Sequence, residues 1–318
     1  MFKKIDLFIV CLIAILVISA FIPQWFVSDW HRIIGIICNV GITLIFFIYG
    51  LKMNKQDITK GLANYKLHIL IQTCTFVLFP LMALAMKPIF AYLGMSEFWI
   101  SFLFLAALPS TVSSSVVMVS IAKGNVPAAI FNASLSGLIG VIATPLWMNF
   151  SNGANNFLET LYHLCLTILL PVLLGLLLNQ YFGDWAKQRK KQLGLIDKTI
   201  ILLIVFNSFS EAFSSGLFTH FSLRSILLVG IFTILMLFGV YLLIWFISKL
   251  LHFNIEDRIT ACFCGSKKSL MHGSVMVQAM FKNTQTQALI LLPIMIFHSV
   301  QLIVISFIAQ RYAERKVK

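Results

Sequence analysis

A chain of 318 residues that is 59% hydrophobic and only 11% charged, with a mean hydropathy of +0.94, is not a soluble domain, since such domains carry roughly a quarter charged residues. The formal net charge of +13 does not mark a nucleic-acid binder, because the basic residues sit in short clusters between apolar runs. Those runs are long enough to cross a bilayer and recur from end to end, so the sequence reads as a polytopic all-α membrane protein whose first partner is the lipid bilayer.

Ten spans are predicted, at 6–22, 33–51, 67–86, 97–121, 126–148, 157–180, 198–215, 223–250, 257–281 and 285–310. The first, MFKKIDLFIVCLIAILVISAF, also has the layout of a signal peptide, with lysines, an apolar stretch and then Ser19-Ala20. A retained helix is preferred because the repeat described below needs it. In the fourth span, FLFLAALPSTVSSSVVMVSIAKGN, Pro109 interrupts the apolar run and the hydroxyls of Ser110, Thr111, Ser113, Ser114 and Ser115 follow. The fifth contains NASLSGLIG, with Asn132 and Ser134; its Ala133/Gly137 and Ser136/Gly140 pairs have the spacing of close helix packing. WAKQRKKQ (185–192) suits anionic headgroups on the cytoplasmic side. The seventh span carries Glu211 toward its outer end, either as an acid within the helix or as an interfacial residue. The ninth holds Cys264, Gly265, Ser266, Lys267, Lys268 and Ser269 in mid-run. The six cysteines all lie in apolar segments and read as small buried hydrophobes, and Cys262-x-Cys264 lacks zinc-site spacing. His272 and His298 read as structural, and Gln72 and Gln278 as candidates to line a polar cavity.

With the N-terminus inside, eighteen lysines and arginines fall on the inner side and four on the outer, leaving Lys267 and Lys268. That asymmetry is the positive-inside pattern, with both termini cytoplasmic. Were 257–281 a loop, the final helix would deliver RYAERKVK to the outer side. The charge distribution therefore places CGSKKS within a crossing segment, although a re-entrant hairpin would move the same charges differently. Short loops suit a bacterial inner membrane. Ten spans divide into two sets of five, 1–156 and 157–318, and an odd number makes any second copy inverted. The two most polar mid-membrane stretches occupy the fourth place in each set.

A helix interrupted at membrane depth leaves amides and carbonyls that protein or water must satisfy, at a cost of several kcal/mol each otherwise. Two such breaks meeting near the midplane would offer half-helix N-termini to anions and loose carbonyls to cations. Close packing is the simpler reading of the serines, and snorkelling or a wet hairpin that of the lysines. Against the latter, a mid-span charge costs on the order of 2.5–3.5 kcal/mol and is rarely idle. Neighbours on a helix diverge by roughly 100°, so at most one lysine is expected to aim at a shared site.

At LPSTVSSSVVMVSIAKGNVPAAIFNASLSGLIGVIATP (108–145) and CGSKKSLMHG (264–273) the sequence resembles the bile acid:sodium symporter (BASS/SBF) family, in its cotransporter-7-like, bacterial SBF-like branch. The resemblance covers nearly the whole chain. It implies two inverted five-helix repeats, a panel domain from helices 1, 2, 6 and 7, and a core domain from helices 3–5 and 8–10. Helices 4 and 9 would be discontinuous and cross. It further implies sodium as the bound ion, with Ser114 and Ser115 matching the helix-four ligands and Ser134 nearby. Where sodium-coupled members carry an acid and a glutamine, this chain has Cys264 and Lys268. An ammonium there would repel a sodium ion at short range, so Lys268, or else Lys267, is expected to replace one sodium site. No cofactor motif and no hydrolase, metalloprotease or Walker signature is present in the sequence. Two functions stay open: a secondary transporter of a small organic anion, and a non-transporting membrane factor of regulatory or lipid-handling role that keeps the fold.

Overall fold

In a computed structural model of the chain the described residues are 7–22, 24–52, 64–111, 113–152, 162, 165–214, 216, 222–281 and 283–315. Lys3, Lys4, Lys55, Lys60, Lys282, Lys316 and Lys318, all part of the charge sorting, lie outside them. Among the described residues every regular element is a helix: α1 (Leu7–Phe21), α2 (Gln24–Lys52), α3 (Tyr65–Tyr92), α4 (Ser96–Ala107), α5 (Ser113–Ile121), α6 (Val126–Asn152), α7 (Cys165–Gln188), α8 (Lys190–Ser214), α9 (Leu223–Leu250), α10 (Ile255–Gly265), α11 (Leu270–Met280) and α12 (Thr284–Ala313). Seven helices among the described residues, α2, α3, α6, α7, α8, α9 and α12, contain stretches long and apolar enough to cross a membrane. Leu177, Leu227, Leu242 and Phe246 stand exposed on them, as lipid-facing side chains do.

The helices cluster in two units. The first comprises Met1–Met53, Asn156–Ile226 and Gly273–Leu292. Its main seam joins α2 to α7, because a Cβ added at Gly50 would strike the Val172 carbonyl and one at Gly175 the Phe47 carbonyl. Two facing glycines thus let the backbones touch, the device lipid-embedded helices use in place of a hydrophobic drive. Lys52 and Asp197 close the α2–α8 contact with an ion pair at 3.0 Å.

The second unit comprises Asn54–Asn155, Leu227–His272 and Pro293–Lys318. Its interior is aromatic, with Phe90 against Phe102 and Phe232, and Phe79 against Phe297. Inside α3, residues Cys74–Leu78 widen into a π-turn: the Phe79 N–H bonds the Cys74 carbonyl. Pro80 explains this, since it has no N–H to give and its ring would clash with the carbonyl of Phe76, four residues back. The Phe76 carbonyl so released accepts from Trp147 Nε1 at 2.7 Å. The Thr75 carbonyl, also released, is taken up at the site below.

Both expected interruptions are present in this unit. α4 ends at Ala107, with Leu108 extended (φ −67°, ψ 150°) ahead of Pro109, as the residue before a proline prefers. α10 ends at Gly265 and α11 begins at Leu270, so residues 266–269 run outside any helix.

Candidate functional site: the crossing of two broken helices

The α4–α5 and α10–α11 breaks are bound directly to each other. Ser110 Oγ donates to the Cys264 carbonyl at 2.6 Å, and Ser115 Oγ to the Phe263 carbonyl at 3.4 Å. In return the Ser269 N–H donates to the Pro109 carbonyl at 2.9 Å. Ser110, Ser115, Ser266, Ser269 and both lysines are buried. Of the fourth-span hydroxyls, those of Ser110 and Ser115 donate to carbonyls of the opposite break.

The carbonyls left over by the first break can be accounted for one by one, as buried backbone must be. Leu105 accepts from the Leu108 N–H. Ala106 would ordinarily accept from Ser110, but the Ser110 N–H goes to Ser136 Oγ at 2.9 Å, and Pro109 has no N–H. Ala107 accepts from Thr144 Oγ1 at 2.8 Å. The two carbonyls that remain, Ala106 and Leu108, converge with that of Thr75 on one point, and Lys268 Nζ occupies it. Its distances are 2.6 Å to Ala106, 2.7 Å to Leu108 and 2.8 Å to Thr75. Three acceptors match the three N–H donors of an ammonium group, and the Phe79 ring, 4.2 Å from Nζ, adds a cation–π face. The Lys268 backbone is fixed as well: the Gln301 amide accepts from its N–H at 2.9 Å and donates to its carbonyl at 2.8 Å.

Lys267 reaches the other side of the α4–α5 break, where its Nζ donates to the Ser114 carbonyl at 3.0 Å. The expectation that at most one lysine could aim at the crossing rested on helical spacing. Because 266–269 are not helical, adjacent side chains part more widely and both engage it.

The other predicted residues sort as follows. Thr111 Oγ1 lies 2.8 Å from Ser114 Oγ and 2.9 Å from Ser115 Oγ, so these hydroxyls bond one another. Ser113 opens α5, and its side chain lies outside what is described. Ser266 Oγ donates back to the Cys262 carbonyl at 2.6 Å, and Ser269 Oγ caps α11 at the His272 N–H. Cys264 and Gly265 are buried, the latter packed against Ile244 and Cys74. Asn132 joins a separate cluster, its Nδ2 at 2.7 Å from His68 Nδ1 and its Oδ1 accepting from Gln72 at 3.2 Å. Ser134 is half-buried on α6. Glu211 belongs to the first unit, where Thr284, at the start of α12, donates to its carboxylate. Sequence reasoning missed Gln301, Thr75, Trp147 and Thr144. Pro80 in mid-run and the lone amide in IFHSVQLIVISF were the signals that pointed to the first three.

Comparison with known proteins places the chain in a family. Residues 6–314 match the SBF-like CPA transporter family. An uncharacterized protein of Pseudomonas aeruginosa is 37% identical over 319 residues, spanning 98% of this chain and 94% of its own. The provisionally named symporter YfeH of Escherichia coli (strain K12) is 35% identical over 322 residues, 98% of this chain and 94% of its own. Sodium/bile acid cotransporter 7 of Xenopus tropicalis is 29% identical over 280 residues, 84% of this chain and 79% of its own. With a family match over nearly its whole length and relatives aligned almost from end to end, the chain belongs to the SBF-like CPA transporter family, transporters of the bile acid:sodium symporter type.

Proposed function

We propose that this chain is a secondary transporter of a small organic anion that works by alternating access, with Lys268 standing where a coupling sodium ion would bind. The observation that carries the reading is the Lys268 ammonium inside three convergent backbone carbonyls. Carbonyls released by a helix break are cation ligands in membrane transporters, and here the chain fills them with a cation of its own. The hydroxyls matching the sodium ligands, Ser114 and Ser115, are bonded to Thr111, which supports a site that works without the ion.

The architecture proposed with it is ten membrane crossings in two inverted halves, 1–156 and 157–318, and both termini cytoplasmic in an inner membrane. Two breaks at the fourth place of each half support the inversion, and the lysine and arginine asymmetry supports the orientation. The first unit is built chiefly from runs 1, 2, 6 and 7 and the second chiefly from runs 3–5 and 8–10, which favours a panel moving against a core.

A second reading, a non-transporting factor welded at the crossing, is favoured by how completely protein atoms satisfy the α4 carbonyls. Ser114, half-buried at the start of α5, separates the two. In a background without the six native cysteines, Ser114→Cys should be labelled by a membrane-impermeant thiol reagent from either side, in right-side-out and in inverted vesicles. Resistance from both sides would establish the welded form.

A further inference from the structure

The two adjacent lysines are held very differently. Lys268 Nζ has an acceptor for each of its three donors, whereas Lys267 Nζ has one acceptor among the described residues, the Ser114 carbonyl. Lys267 is nevertheless 0% exposed. The ion pairs among the described residues are Lys52–Asp197, Lys187–Asp184 and Arg315–Glu256, and none of them supplies Lys267 with a carboxylate. A buried ammonium with two donors unused among the described residues costs several kcal/mol, and such groups persist where a counter-charge arrives to fill them. The group also lies at the first turn of α5, a nine-residue helix, whose N-terminal end carries a partial positive charge. The corresponding end of α11 is closed by its own Ser269 cap.

We infer that the Lys267 ammonium, at the first turn of α5, is the receptor for the negatively charged head group of the cargo. This rests on the transporter reading and assigns the recognition step within it: Lys268 is framework, and Lys267 is the ligand-binding cation. A carboxylate or sulfonate group fits, since two of its oxygens can each accept from one of the two remaining ammonium donors.

Acetate is the probe, as the smallest carboxylate. Thermal unfolding of the purified full chain in detergent is followed while potassium acetate replaces potassium chloride at constant ionic strength. The melting temperature of the wild-type protein should rise saturably with acetate. Lys267→Met, and Lys267→Gln, which keeps a donor for the Ser114 carbonyl, should melt no lower than the wild type without acetate, since each removes an incompletely satisfied buried charge. Both should respond to acetate at least tenfold more weakly, the loss of about 1.4 kcal/mol of binding. A flat wild-type response, an unchanged response in both variants, or a collapse of both to unfolded protein would each overturn the assignment, the last because it makes Lys267 framework. Two-sided labelling of Ser114→Cys alongside a flat acetate response would sink this inference alone. Labelling from neither side would sink the transporter reading instead.

Discussion

At the scale of single residues, the chain solves a problem it creates for itself. Pro80 removes an N–H within α3 and Pro109 follows the end of α4, and the carbonyls these interruptions strand would be costly in lipid. Trp147, Thr144 and Lys268 reach those carbonyls from elsewhere in the chain. Removing the donor shared by three buried carbonyls leaves each of them unsatisfied, at about 1–3 kcal/mol apiece. Lys268→Met should therefore lower the melting temperature of the purified protein by on the order of 10 °C, at about 2–4 °C per kcal/mol. Lys268→Arg should fail to restore it, since a planar guanidinium does not place three donors on one convergent point. Gln301→Leu strands the N–H and the carbonyl of Lys268 together and should cost about 2–4 kcal/mol. A melting temperature equal to wild type would show that the amide is dispensable.

At the scale of elements, close backbone approaches set how α6 meets the first break. A Cβ on Gly140 would come within 2.8 Å of the Pro109 ring, whereas one on Gly230, in α9, would meet nothing within 4 Å. Gly140→Ala is accordingly expected to destabilise by about 1–3 kcal/mol through overpacking. Gly230→Ala should be neutral or stabilising by up to about 1 kcal/mol through helix propensity. Thermal unfolding of the two variants side by side reads the sign directly. The interruptions themselves were legible in the sequence, because a proline followed by hydroxyls, and two lysines in an apolar run, are rare in span interiors. What satisfies them was not. The acceptors around Lys268 are backbone atoms 193, 162 and 160 positions away, and no side-chain type announces a free carbonyl. Helical spacing also misled for the lysines, since it presumes the helix that the same residues break.

At the scale of the whole molecule, length, apolar patterning and charge asymmetry were enough to read a polytopic helical protein, and the family match agrees with the resemblance carried by PSTVSSS and GSKKS. Asn132 and Glu211 show where that scale fails: each is polar and within a span, yet Asn132 serves the His68–Gln72 cluster and Glu211 the start of α12. Polarity in lipid flags a residue as engaged without naming its partner. The account also predicts how the protein responds to ions. A chain whose cation place is already filled by a tethered ammonium gains nothing from sodium in solution, because ligand stabilisation requires a vacant site.

The most direct test is the melting temperature of the wild-type protein and of Lys268→Ala, each measured across a titration of sodium chloride against potassium chloride at fixed ionic strength. The account predicts one curve for the wild type whichever cation is present, and a much lower melting temperature for Lys268→Ala. A wild type stabilised saturably by sodium, together with a Lys268→Ala protein as stable as its parent, would contradict it.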